Sequence, residues 1–130
     1  MSTIEMELRR FHMDDFTDLN SWYYRRKGEN FPMRYLSPTG VIVPGVAAGF
    51  LIQTDAHFGI LEPFISNPEA SKEDRDRALH MILERLTSMA KKIDYKVIYG
   101  FSTNKIMLDR AISQGFEIQE LNSTTVKKVL

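Results

Sequence analysis

The stretch that most constrains the fold runs from Ile60 to Leu86. An apolar run, ILEPFIS, leads into Asn67-Pro68-Glu69, then the charged string SKEDRDR, then the periodic ALHMILERL. Ala78 or Leu79, Ile82, Leu83, Leu86, Met89 and Ala90 recur on one helical face, with Arg75, Glu84, Arg85 and Lys92 elsewhere. Ser71 with Asp74 three residues on resembles a capping box, which places the helix start near Ser71. The pattern predicts a buried strand turning through a short loop onto a long amphipathic helix. Such a turn is where α/β proteins usually hold anionic cofactors.

The flanking segments extend the pattern to the whole chain. Ile4, Met6 and Leu8 alternate with charged residues and predict a strand. A helix opens at His12-Met13-Asp14-Asp15 and ends at Gly28, with Trp22, Tyr23 and Tyr24 read as core aromatics and Arg25, Arg26 and Lys27 as a solvated helix end. Glu29 to Thr39 is irregular, because Pro32 and Pro38 interrupt any ladder. Gly40 to Val43 and Val46 to Thr54 form a predicted hairpin around Pro44-Gly45, and a turn at Asp55-Ala56-His57 leads into Phe58 to Ser66. Tyr95 to Ser102 is strand-like, Asn104 to Gln114 is a short helix ended by Gly115, and Phe116 to Leu130 supplies one or two closing strands with a turn near Asn122-Ser123. The order β-α-β-β-β-α-β-α-β-β predicts an α+β fold, layered α/β/α. Its mostly antiparallel sheet has about six to seven strands, helices on both faces, and one right-handed crossover from the Phe58 strand to the Tyr95 strand.

Composition removes several functional classes. The chain has 130 residues, 17 basic and 17 acidic, so no global field draws it to nucleic acid or anionic membrane. It has no cysteine, which excludes a disulfide framework, a thiolate zinc site and a cysteine nucleophile. The N-terminal MSTIEMELRR does not read as a signal peptide, and no apolar run approaches the ~20 residues of a membrane span. A single cytoplasmic domain over residues 1–130 is expected. His12, His57 and His80 share no metal-ligand spacing, so no metal is expected.

The element order, the strand ILEPFISNPE, the helix RALHMILERLTSMAKKIDYK, the strand VIYGFS and the segment NKIMLDRAISQGFE together resemble the GNAT superfamily of acyl-CoA-dependent N-acetyltransferases, over about residues 4 to 120. GVIVPGVAAGFLIQTD followed by NPEAS is similar to short GNAT-like proteins encoded by tailed bacteriophages. The resemblance implies acetyl-CoA as cofactor, cradled by a loop of the form Arg/Gln-x-x-Gly-x-Gly/Ala whose bare amides hold the pyrophosphate. Ungapped alignment puts Ser71 to Asp76 on that loop, with Lys72, Asp74 and Asp76 at the glycine positions. Lys72, Arg75 and Arg77 would then supply a side-chain phosphate clamp. The other reading of this stretch is a solvated first turn with alternating charges. Asn104 matches the family's asparagine. Ala111 stands seven residues on, where the family's tyrosine acid belongs, and leaves Tyr95 or Tyr99 as substitutes. Glu62 is the candidate general base, with apolar neighbours expected to bury it. Pro63 breaks the ladder, and backbone groups of Phe64, Ile65 and Ser66 would pair with the pantetheine arm.

Two functions follow from these expectations. Replacement of the loop glycines together with loss of the tyrosine favours a non-catalytic binding or structural module, of a phage accessory or virion-associated kind. The alternative is an acetyl-CoA-dependent N-acetyltransferase acting on a primary amine. The first reading implies self-association or a protein partner, with Phe31 to Leu36 as a candidate contact surface.

Overall fold

The computed structural model describes residues 6–102, 104–121 and 124–130. Among them the chain forms one five-stranded sheet, β1 (Arg9–Arg10), β2 (Gly40–Val43), β3 (Ala47–Gln53), β4 (Phe58–Ser66) and β5 (Val97–Gly100), in that spatial order. Helix α1 (Phe16–Lys27) lies between β1 and β2 in sequence, α2 (Lys72–Lys92) joins β4 to β5, and α3 (Lys105–Ser113) follows β5. Pairing is antiparallel from β1 to β4 and parallel between β4 and β5, as a crossover through α2 requires.

Alternation along the strands divides the core into two layers. Val41, Val43, Ala47, Leu51 and Leu61 pack with Ala78, Ile82, Leu83, Leu86 and Ala90 of α2. Ile42, Ala48, Phe50 and Ile65 point the other way and pack with Phe11, Leu19 and Trp22 on the side of α1. The expected α+β fold with helices on both faces is therefore present, and both faces of β3 are buried.

Four strand expectations are corrected. The sheet has five strands, not six to seven. Among the described residues the N-terminal ladder lies at Arg9–Arg10 and does not include Met6 to Leu8. Met6 and Leu8 pack on the α2 layer by their side chains, while Ile4 lies outside the described residues. The closing strands expected over Phe116 to Leu130 do not form among the described residues, and Asn122-Ser123 lies outside them. The Tyr95 to Ser102 strand is shorter than expected, and the Tyr95 amide donates to the Ala90 carbonyl of α2 at 3.0 Å instead of to a ladder. The Tyr95 hydroxyl donates to the Thr54 carbonyl at 3.0 Å.

Glycine is required at the end of α1, where Gly28 takes φ +74° and its N–H donates to the Tyr24 carbonyl at 2.8 Å. Before α1, buried Asp15 accepts two bonds from the Arg9 guanidinium at 2.8 and 2.7 Å, and a third from the His12 amide at 2.8 Å. The Arg9 hydrogen bonds hold its carboxyl below the usual carboxylate range against the opposing effect of burial. The lowered folded value means this stability is complete above the unfolded carboxylate range and is lost as the pH falls through it toward the folded value. The wild-type melting temperature is expected to fall more steeply than that of Asp15→Asn between about pH 5 and pH 2. Parallel slopes in a pH series of melts would remove the assignment.

Candidate functional site

The site forms where β4 and β5 separate. Leu51 pairs with Leu61, yet Gly49 pairs with Phe64, so β4 spends one more residue than β3 across Glu62-Pro63. That bulge reverses the side-chain parity of the strand. Leu61 and Phe64, three apart, both pack on the α2 layer, and Ile65 packs on the α1 layer. Proline is suited to this position because it has no N–H to give a ladder. On the other side, pairing with β5 runs from Phe58↔Val97 to Leu61↔Gly100 and ends there. From Glu62 to Ser66 the β5-facing side of β4 therefore has no strand paired to it among the described residues, which makes it a candidate cleft.

Which backbone groups face that cleft follows from the register. The Asn67 amide donates to the Val46 carbonyl at 2.7 Å, so Asn67 and Ile65 direct their backbone groups toward β3. Phe64 and Ser66 direct theirs the opposite way. Of the three residues expected to meet a pantetheine arm, Phe64 and Ser66 direct their backbone groups to that side, whereas the Ile65 backbone faces β3 and its side chain is buried.

Ser66 already has a partner. Arg26, near the end of α1, donates from Nε to the Ser66 carbonyl at 3.3 Å and from Nη2 to the Ser66 hydroxyl at 3.0 Å. Desolvation, and then the neighbouring Arg75, hold the Arg26 guanidinium below the usual arginine range. Arg25 pairs with Glu69 in the loop before α2. The end expected to be simply solvated instead ties α1 to the rim of the cleft. No local pattern marks this role, because Arg26 and Ser66 are 40 residues apart.

The start of α2 is self-capped. Ser71 Oγ accepts from the Asp74 amide at 3.0 Å, and the Ser71 carbonyl accepts from the Arg75 amide at 2.9 Å. The helix runs from Lys72 without a break, across the positions where the resembled family keeps bare glycine amides. The residues present do not fit a pyrophosphate cradle of that design. Asp74 Oδ1 is buried with no partner among the described residues, a poor neighbour for a diphosphate. Ser71→Ala is expected to cost about 1 kcal/mol, read by urea denaturation, and no change would refute the cap.

Asp76, the last of the replaced glycine positions, has a different role. Asp76 accepts from Arg110 Nη2 of α3 at 3.0 Å, and the Arg110 side chain is only 8% exposed. Gln114 Nε2 adds contacts to His80 Nδ1 and the His80 carbonyl at 3.0 and 3.2 Å. These bonds fasten α3 to α2 along an open groove that Arg77, Met81 and Ile106 also line. Asp76→Ala leaves a nearly buried cation without its carboxylate and is expected to cost about 1–3 kcal/mol. Urea midpoints check it, and Asp76→Ala within error of wild type would show that the pair does not hold α3.

The remaining candidates disperse. Glu62 is exposed on the bulge, so the burial expected for a general base is absent. Lys72 is exposed at the first residue of α2, Arg75 is half-buried beside Arg26, and Arg77 is exposed on the α2–α3 groove. Asn104 is the N-cap of α3, its Oδ1 accepting from the Ile106 and Met107 amides at 2.9 and 3.2 Å. Tyr95 is spent on Thr54, and Tyr99 packs edge-on against Phe58 with centroids 5.5 Å apart. Ala111 packs against the α2 layer. In the segment Phe31 to Leu36, Phe31 and Leu36 turn into the α1 layer, whereas Met33 and Tyr35 are exposed. Among the described residues no three His, Asp or Glu side chains gather as a metal site, and no helix is long and apolar enough to cross a membrane.

Comparison with solved structures agrees with this architecture. An acetyltransferase from Trypanosoma brucei superposes with a TM-score of 0.67 at 13% identity, over 95% of this chain and 100% of that one. The ribosomal-protein-S18-alanine N-acetyltransferase of Escherichia coli gives 0.65 at 12%, over 89% and 80%. An aminoglycoside 6'-N-acetyltransferase from Acinetobacter baumannii gives 0.67 at 14%, over 96% and 99%. No protein-family model matches the sequence, and no curated relative does. At these identities the likeness shows the fold alone, the one these acetyltransferases share.

Proposed function

We propose that this acetyltransferase-fold chain works as a non-catalytic binding or structural module, of the accessory kind that its likeness to short phage-encoded proteins suggests. The self-capped start of α2 carries the reading. Ser71 closes on the Asp74 amide, so the helix satisfies internally a donor that a bound pyrophosphate would need. Three further arrangements support it. Arg26 occupies the Ser66 carbonyl on the cleft, Glu62 stands in solvent, and Tyr95 is committed to Thr54.

Titration of the full chain with acetyl-CoA tests this. A site filled at a hundredfold excess over its Kd would add about 2.7 kcal/mol and raise the melting temperature by something on the order of 10 °C. No shift is expected at millimolar acetyl-CoA. A saturable shift abolished by Arg75→Ala with Arg77→Ala would overturn the proposal.

One observation favours the alternative, an N-acetyltransferase using acetyl-CoA and a primary amine. The β4–β5 cleft is open beyond Leu61 and Gly100, with Phe64 backbone groups directed into it. In that reading Phe64 backbone groups would meet the pantetheine arm, Arg26 and Arg75 would pair with the phosphates by their side chains, and Glu62 would take a proton through solvent from the acceptor's ammonium form to free the attacking amine. Transfer of labelled acetyl to an amine, lost in Glu62→Gln, would establish it.

A further inference from the structure

The outer edge of β1 is closed by side chains of its own segment. Among the described residues β1 pairs only with β2, so its other side borders no strand. Arg9 stands opposite Ile42, and the Phe11 amide donates to the Gly40 carbonyl at 3.0 Å, so Arg9 and Phe11 turn their backbone groups toward β2. Arg10 and His12 therefore turn theirs outward, where an incoming strand would meet them. Three of those four groups already have partners. Arg9 Nη1 donates to the Arg10 carbonyl at 3.0 Å, the His12 amide donates to Asp15 Oδ2 at 2.8 Å, and the His12 carbonyl accepts from the Asp15 amide at 2.9 Å.

One ion pair holds the arrangement together. Ile42 packs on the α1 side of the sheet, so Arg9 opposite it lies on that side too, and its guanidinium reaches buried Asp15 at 2.8 and 2.7 Å. The same Nη1 serves both Asp15 and the Arg10 carbonyl, which ties the start of α1 to the strand edge. The 3-10 turn Met13–Asp15 follows β1 directly and brings the Asp15 carboxylate back to the His12 amide. Arg10 is exposed, and a charge on so short an edge is a further obstacle to a second strand.

We propose that the Arg9–Asp15 pair is a guard on this edge: while it is closed no strand adds beside β1, and opening it lets the chain associate with the same edge of a second copy. Two such edges can pair antiparallel about a twofold axis. The wild-type chain then meets any partner through another surface. The guard does not depend on whether the chain binds acetyl-CoA, so it stands or fails separately from the function above.

Amide exchange on the wild-type chain reads the closed state. The His12 amide is expected to be protected about tenfold more than the Arg10 amide, although both face outward. Arg9→Met with Asp15→Ala opens the edge and leaves neither charge of the pair behind. In light scattering its mean mass is expected to be about twice that of the wild type at equal micromolar concentration, and to rise with concentration. Adding Arg10→Pro is expected to restore the wild-type mass, because proline removes the outward N–H and is tolerated where no ladder bond is made. Association that came from unfolding would not be reversed by that proline. Equal protection at His12 and Arg10, an opened variant of wild-type mass, or an associated variant that Arg10→Pro does not restore would each overturn the proposal.

Discussion

Leu86→Ala is expected to lower the free energy of unfolding by about 2–5 kcal/mol, the largest single effect on this fold. Leu86 has no exposed surface and sits with Ile82, Leu83 and Ala90 on the α2 face that covers the sheet. Truncation removes the transfer free energy of the lost methyl groups. It also leaves a cavity between a long helix and a sheet, and neither can close over it without breaking its own hydrogen bonds. For a domain whose total stability is on the order of 5–15 kcal/mol, that is a large fraction. Urea denaturation should show a lower midpoint with an unchanged slope. Met13→Ala, at a residue 60% exposed, should fall within about 0.5 kcal/mol of wild type and serves as the control. A loss below about 1 kcal/mol at Leu86 would mean that the α2 face is not the centre of the core.

The same helix explains why so much of the fold was legible in the sequence. A period of 3.6 sustained from Ala78 to Ala90 has one structural solution, and the alternation in Gly40 to Ser66 likewise specified three strands and their two buried faces. Alternation reports which face is buried, however, and not whether the backbone finds a neighbour. Met6 and Leu8 bury their side chains as expected, while the ladder itself lies at Arg9 and Arg10. Phe116 to Leu121 has the pattern of a strand and joins no ladder among the described residues.

At the site, local chemistry could be read and long-range chemistry could not. The Ser71–Asp74 cap spans three residues and has a signature. Arg26 with Ser66 and Asp76 with Arg110 join residues 40 and 34 apart, and no spacing marks them. The exposure of Glu62 has a simpler reason: apolar neighbours in a strand point to the opposite face, so buried Leu61 is no sign that Glu62 is buried as well.

Gly49→Val tests the contact that joins this core to the cleft. Gly49 lies on β3 opposite Phe64, directly beneath α2, and a Cβ placed there would come within 2.5 Å of Ile82 Cγ2 and 2.7 Å of Phe64 Cδ1. Neither neighbour can retreat freely. Ile82 is fully buried on α2, and Phe64 is held in the α2 layer by the parity change at Glu62-Pro63. Overpacking of this kind costs about 1–3 kcal/mol, and the β-branch of valine places the effect at the upper end. The strain also has a direction. Relief requires α2 to lift from the sheet or Phe64 to swing toward the open side of β4, and the second route changes the cleft. Urea denaturation measures the first part. Amide exchange measures the second, with faster exchange expected from Phe64 to Ser66 than in Leu86→Ala compared at equal residual stability. If the two variants exchange alike in that segment, Gly49 serves only the core and the cleft is shaped independently of it.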